Sequence, residues 1–173
     1  MRIVTQRLEI IPFTADAIIA MLEGDAGRLE ALTGARFRKP LTPPPLTEEV
    51  LPLVRDRLRA DPSQEGWWTW LAILKAGRDC VGSLGFGGPP DGEGTIMMGY
   101  ATYPGFERRG LATEAVAGLV EWALAQPDVR RVCASIPPWN TAALGVAQRV
   151  GMRQIGTIWE EDVDEVLLYA VGR

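Results

Sequence analysis

Residues Tyr100 to Ala115 read Y-A-T-Y-P-G-F-E-R-R-G-L-A-T-E-A. An apolar strand ends in a Pro-Gly turn, and a loop of small and basic residues leads straight into a helix. The chemistry this suits is anion binding. The first N–H groups of a helix have no intrahelical acceptor, and Gly110 and Ala112 carry too little side chain to keep a phosphate away from them. Arg108 and Arg109 add positive charge at the same place. Local chemistry alone leaves two readings open, a phosphate seat or a plain connection between strand and helix.

The chain contains no histidine. That removes Ser-His and Cys-His nucleophiles, histidine-based metal sites and an imidazole base. Any general base must be a carboxylate, Tyr, Lys, Cys, the amino terminus or water. The two cysteines, Cys80 and Cys133, sit in apolar strand-like runs and read as small buried hydrophobes, not as a disulfide or a nucleophile. No metal site is expected.

The elements that must position this loop follow from pattern. A chain of 173 residues, 47% of them hydrophobic, is long enough for one sizeable core, so residues 1–173 are expected to form a single domain. The net charge of −4 with no basic run argues against nucleic acid as a partner, and no apolar run approaches the roughly 18 residues of a membrane helix. A cytoplasmic protein that does not engage membranes is the expectation.

Arg7 to Phe13 reads as a strand, followed by a helix to Leu22 capped near Thr14. After a softer region, P-L-T-P-P-P at Pro40 to Pro45 gives an extended turn before an amphipathic helix from Thr47 to Ala60. Trp67 to Leu74 and Asp79 to Gly85 form a hairpin across K-A-G-R. The tryptophans read as core or cleft-lining residues. Gly82 to Gly88 imitates a dinucleotide loop, but Pro89, Pro90 and Asp91 follow where a helix would have to open. Thr95 to Thr102 is the next strand, Gly110 to Ala125 a helix, Arg131 to Ile136 a strand, Thr141 to Val150 a short helix, and Glu165 to Val171 a last strand. This alternation predicts a mixed α/β (α+β) domain with a mostly antiparallel sheet.

The segment E-R-R-G-L-A resembles the acetyl-CoA signature of the GNAT superfamily of N-acetyltransferases, Q/R-x-x-G-x-G/A. T-Q-R-L-E-I near the start looks like that family's first strand. A-T-E-A-V matches the branch containing ribosomal-protein N-terminal acetyltransferases. N-T-A-A-L-G-V-A-Q-R-V-G-M, from Asn140 to Met152, is similar to the branch's N-x-x-S-x-x-x-x-E-K-x-G-F. The resemblance covers most of the chain outside about Gly24 to Ser63.

It implies a fold in which two central strands splay apart to admit the pantetheine arm of acetyl-CoA. Main-chain groups of Tyr100, Ala101 and Thr102 would pair with that arm. The N–H groups of Arg108, Arg109, Gly110, Leu111, Ala112 and Thr113 would hold the pyrophosphate, and Asn140 would add a side-chain contact. Asn140 reads equally as a helix cap, and the two roles are compatible. The implied reaction is direct attack of an amine on the thioester, with an N–H near Ala101 or Thr102 facing the developing oxyanion.

Side chains that relatives use are missing here. The family's tyrosine seven residues after the Asn is Ala147 and the branch's serine is Ala143. The strand glutamates fall at Met97 and Ser135, and Glu107 replaces Gln or Arg in the loop. The remaining carboxylates form the run W-E-E-D-V-D-E, before the strand that closes the acceptor side in this fold. Glu160 is the candidate base, with a solvated hairpin loop as the alternative reading.

The expectation is acetyl-CoA-dependent N-acetylation of a primary amine, on a small molecule or a protein N-terminus. The alternative is a weak or inactive CoA-binding module of the same fold. Either a monomer or a homodimer suits such a sheet.

Overall fold

The computed structural model describes residues 1–162 and 164–173, with the main chain alone at Glu160 and Asp164. In chain order the elements are β1 (Ile3–Val4), β2 (Leu8–Pro12), α1 (Ala15–Leu22), α2 (Ala26–Thr33), α3 (Leu51–Ala60), a 3-10 turn (Pro62–Gln64), β3 (Thr69–Leu74), β4 (Cys80–Phe86), β5 (Thr95–Thr102), α4 (Leu111–Leu124), β6 (Arg131–Ile136), α5 (Thr141–Arg149), β7 (Arg153–Glu160) and β8 (Asp164–Gly172). The strands make one eight-stranded sheet in the order β1-β2-β3-β4-β5-β6-β8-β7. Every neighbouring pair is antiparallel except β5 and β6, which run parallel.

The core forms on both faces of the sheet. Strand β3 shows why: Trp70 and Ala72 turn to a cluster with Val116 and Leu119 of α4, while Leu71 and Ile73 turn to a second cluster with Ile18 of α1 and Leu51 of α3. A strand covered on both faces reads as a continuous apolar run, which is what T-W-L-A-I-L is. Each such side chain fully buried contributes roughly 1.5–3 kcal/mol.

Three local signals sharpen the element boundaries. Thr14 caps α1, accepting from the Ala17 N–H. Helix α2 lies inside the region read as soft: Asp25 caps it by accepting from the Arg28 N–H, and Gly34 closes it in the left-handed conformation at φ 63°. Helix α3 begins at Leu51 and not at Thr47, because Pro52 has no N–H to offer an earlier turn. The Thr47 hydroxyl instead donates to the Pro44 carbonyl at 2.6 Å.

Strand β7 has no clear signature in R-Q-I-G-T-I-W-E, which pairs only with β8 and carries a register shift between Gln154 and Gly156. The glycine cluster begins within strand β4, which holds Gly82 and Gly85 and ends at Phe86. A Cβ on Gly82 would lie 2.2 Å from the Ala101 carbonyl oxygen, and one on Gly85 would lie 2.2 Å from that of Trp68. These glycines allow close approach of neighbouring main chains and do not open a nucleotide loop.

Candidate active site

Strands β5 and β6 pair only through Thr95, Ile96 and Met97 with Arg131, Val132 and Cys133. Beyond that point β5 continues to Thr102 against β4, and β6 continues to Ile136 against β8. The two parallel strands are therefore splayed at their C-terminal ends. The Gly87 N–H donates to the Met97 carbonyl and the Tyr103 N–H to the Val81 carbonyl. Main-chain direction alternates along a strand, so Gly99 and Ala101 also turn toward β4, while Met98, Tyr100 and Thr102 turn theirs into the splay. Of the three residues read from sequence, Tyr100 and Thr102 offer main-chain groups to an arm lying there. Ala101 faces its own sheet partner.

The loop beyond β5 turns through left-handed residues, Gly105 at φ 95°, Arg108 at φ 58° and Gly110 at φ 73°. Gly110 is the N-cap of α4 and has no side chain with which to cap it. Among the described residues, the N–H groups of Arg108, Arg109, Gly110, Leu111, Ala112 and Thr113 find no protein acceptor. A row of such donors at the head of a helix is an anion nest. The Arg109 side chain lies over Phe106, 5.7 Å from the ring centre, and Arg108 and Glu107 are exposed.

A contact from the turn between β1 and β2 braces this loop. The Arg7 Nη1 donates to the Arg109 carbonyl at 2.7 Å, and its Nε donates to Glu114 Oε2 at 2.7 Å. The Arg7 main-chain N–H and the Thr5 hydroxyl both reach Glu114 Oε1 at 2.6 Å. Burial alone would raise the Glu114 carboxyl, but these hydrogen bonds and the Arg7 charge outweigh it and hold the group below the ordinary carboxylate range. Both partners stand in motifs noted above, T-Q-R-L and A-T-E-A, yet nothing in the sequence says that residues 107 positions apart meet.

Across the splay, Asn140 caps α5, its Oδ1 accepting from the Ala143 N–H at 3.2 Å. The cap engages that oxygen and leaves the amide N–H groups for a ligand. The Tyr100 hydroxyl donates to the Ala143 carbonyl at 2.7 Å, tying β5 to α5. Burial pushes this phenol up to about 12, against an opposing hydrogen bond from the Ala147 main chain, so it is protonated at neutral pH. A cavity of about 20 Å3 lies under the junction, bounded by Gly82, Tyr100, Thr102 and Ala112. That is room for a single water and not for a larger ligand.

The other face of the sheet differs. By the same alternation Met97, Gly99, Ala101, Cys133 and Ser135 turn away from α4 and α5. Met97 is 40% exposed there, and a Cβ on Gly99 would meet nothing within 4 Å. Glu160 ends strand β7, and its side chain lies outside the described residues. Cys80 and Cys133 are free and buried. Burial pushes the Cys80 thiol up to about 12 and raises that of Cys133, so neither is a ready thiolate. Trp67, Trp70 and Trp122 pack together in the core, whereas Trp139 and Trp159 are exposed. Among the described residues there is no group of three potential metal ligands, and no helix is long and apolar enough to cross a membrane.

Known proteins share this fold. The chain is 31% identical over 103 residues to the uncharacterized N-acetyltransferase YjdG of Bacillus subtilis, a match spanning 60% of this chain and 61% of that one. Among solved structures, a GNAT-family acetyltransferase from Bacillus anthracis superposes with a TM-score of 0.66 at 21% identity, over 99% of this chain and 98% of that one. A putative ribosomal-protein-serine acetyltransferase from Vibrio cholerae gives 0.68 at 15%, over 100% and 98%. RimL, a ribosomal L7/L12 alpha-N-protein acetyltransferase solved with coenzyme A, gives 0.69 at 17%, over 99% and 98%. The family model for the GNAT acetyltransferase domain matches residues 7–153, a span that begins at Arg7 and holds the splay, the donor loop and the Asn140 cap, and the chain belongs to that family.

Proposed function

We propose that this protein transfers the acetyl group of acetyl-CoA to a primary amine, on a small molecule or at a protein N-terminus. The observation that carries the reading is the adjacency of two sets of unpaired main-chain groups: the donor row Arg108 to Thr113 and the open edge of β5 at Tyr100 and Thr102. One fits a pyrophosphate and the other an amide-bearing arm, so the residues present fit acetyl-CoA.

Acetyl-CoA supplies an activated thioester, and the protein supplies orientation and dipoles. The loop N–H groups fix the pyrophosphate, and Thr102 and the Asn140 amide hold the arm. The Tyr100 N–H, directed into the splay, is the donor for the oxyanion that develops as the amine attacks. The position is deeper in the splay than Ala101, whose N–H is turned to β4. Glu160 is retained as the proposed base.

With Ala143, Ala147, Met97 and Ser135 offering no acid or base, acceptors that lose a proton readily are favoured. An α-amine with a pKa of about 7.8 is easier to deprotonate at neutral pH than a lysine at about 10.4, by about 3.5 kcal/mol. Ala143, Ala147, Met97 and Ser135 also support the second reading, a CoA-binding module with little or no turnover.

Calorimetric titration with acetyl-CoA, with ATP and NAD as controls, tests the first step. Selective micromolar binding is expected, followed by amide product on a panel of amines that includes N-terminal peptides. Binding without product on any amine leaves the inactive module. Absence of binding to any acyl-CoA overturns both.

A further inference from the structure

We infer that Arg7 is a positioning residue for the cofactor loop. From the turn before β2 it sets the direction of the donor row and neutralises the partly buried Glu114 carboxylate beside it. The inference rests on the acetyl-CoA reading.

The loop has a conformational problem. Arg108 holds φ 58° and Gly110 holds φ 73°, with Arg109 between them. A non-glycine residue in the left-handed region is disfavoured on its own, and it persists where surrounding contacts over-determine it. Donors point outward here because the intervening carbonyl points inward. The only partner of the Arg109 carbonyl among the described residues is Arg7 Nη1, at 2.7 Å. Without it, that peptide is free to turn, and a turned peptide presents an oxygen to the phosphate in place of an N–H.

There is also an electrostatic problem. Glu114 stands in the first turn of α4, directly behind the donors. A carboxylate there suits the helix dipole and therefore competes with an incoming anion for the same positive end. Arg7 meets it through both its main-chain N–H and its Nε, and the pair is only partly open to solvent, with side-chain exposures of 44% and 16%. One guanidinium thus anchors the loop and neutralises the helix start. Its remaining nitrogen, Nη2, lies 3.3 Å from where a Gly110 Cβ would stand, at the floor of the seat. Lysine carries its three donors on one nitrogen and cannot reproduce the fork by which Nε meets Glu114 and Nη1 meets the Arg109 carbonyl.

The readout must separate loop positioning from general loss of structure. Acetyl-CoA and acetyl-pantetheine share the thioester and arm, and only the first carries the pyrophosphate. For Arg7→Ala, acetyl-CoA affinity by calorimetry and kcat/KM for acetyl-CoA should fall by about tenfold to a hundredfold. The value of kcat/KM for acetyl-pantetheine should change by less than about twofold. Arg7→Lys should be folded by circular dichroism and should recover only part of the loss.

Equal losses with both thioesters, or unchanged acetyl-CoA affinity in a folded Arg7→Ala or Arg7→Lys protein, would overturn the assignment. If Arg7→Ala does not fold, Arg7→Lys carries the same comparison. A wild-type protein that binds no acyl-CoA is a different result, because it removes the functional reading before Arg7 is tested.

Discussion

The two sides of the splayed sheet are built on opposite principles. On the side of α4 and α5, the groups proposed to bind the cofactor are main-chain N–H donors, and the structure braces them: Arg7 on the Arg109 carbonyl, Asn140 on the first turn of α5, Tyr100 on the Ala143 carbonyl. On the opposite side the face at the splay is Met97, Gly99, Ala101 and Ser135, with no charged side chain among them. A seat made of backbone survives sequence change as long as its glycines and braces remain. A face made of side chains is rewritten by each substitution, and here Met97 and Ser135 offer no carboxylate. The side proposed for the cofactor therefore depends on backbone and its braces, and the side proposed for the acceptor on side chains.

The largest effect is expected from Gly110→Val. The residue holds φ 73°, where a β-branched side chain is strained, and its Cβ would lie 3.3 Å from Arg7 Nη2. The substitution both blocks the seat and dislodges its brace. Acetyl-CoA affinity by calorimetry should fall by about a hundredfold, on the order of 2.7 kcal/mol. Retained affinity would mean that the donor row is not the pyrophosphate site, and the contrast between the two sides would fail.

Gly82→Ala acts one strand away and should do less to binding and more to stability. Its Cβ would fall 2.2 Å from the Ala101 carbonyl oxygen, so β4 and β5 must separate locally. Overpacking of this kind costs roughly 1–3 kcal/mol. The melting temperature should drop accordingly, with acetyl-CoA affinity reduced several-fold as Thr102 shifts. A normal melting temperature would show that β5 moves freely at its splayed end.

These cases also show what the sequence could disclose. The donor loop was legible because its parts are local: Pro-Gly, two arginines, Gly110 and a helix with regular apolar spacing all fall within one stretch. Helix α2 carried both of its punctuation marks, Asp25 and Gly34, but its short amphipathic pattern between Pro-rich and acidic neighbours hid it. Strand β7 lies at the sheet edge, where only β8 constrains it and no apolar alternation is required. The direction of the Tyr100, Ala101 and Thr102 main chain depends on which strand edge faces β4, a one-residue phase that composition does not encode. The Arg7 brace depends on tertiary contact between residues more than a hundred positions apart, 107 in the case of Glu114.

Met97→Glu probes the acceptor side. The side chain is 40% exposed on the face away from α4, so a carboxylate is tolerated there without desolvation. If base strength limits turnover, kcat/KM for a lysine side chain should rise by up to about tenfold, less than a well-placed base supplies. Acetyl-CoA affinity should stay within about twofold of wild type, since Met97 turns its main chain to β4 and its side chain away from the loop. A loss of cofactor affinity instead would show that the two sides are coupled.

The smallest effect is a pH dependence confined to the brace. The folded protein holds the Glu114 carboxyl below its ordinary range, despite burial, through Thr5 and Arg7. A group whose pKa is depressed on folding contributes stability that is fully present above its unfolded pKa of about 4.3, and that contribution is lost as pH falls through the lower folded value. Glu114→Gln removes the titration while keeping a side chain that still accepts from Thr5 or Arg7. At neutral pH the variant should be less stable by about 1 kcal/mol, because one charge-assisted contact becomes neutral. As the pH is lowered through the carboxylate range, wild type should lose that advantage and the two melting curves should converge. Parallel curves down to pH 3 would place the Glu114 contribution elsewhere, in packing or in the helix dipole, and would leave Arg7 holding the loop through the Arg109 carbonyl alone.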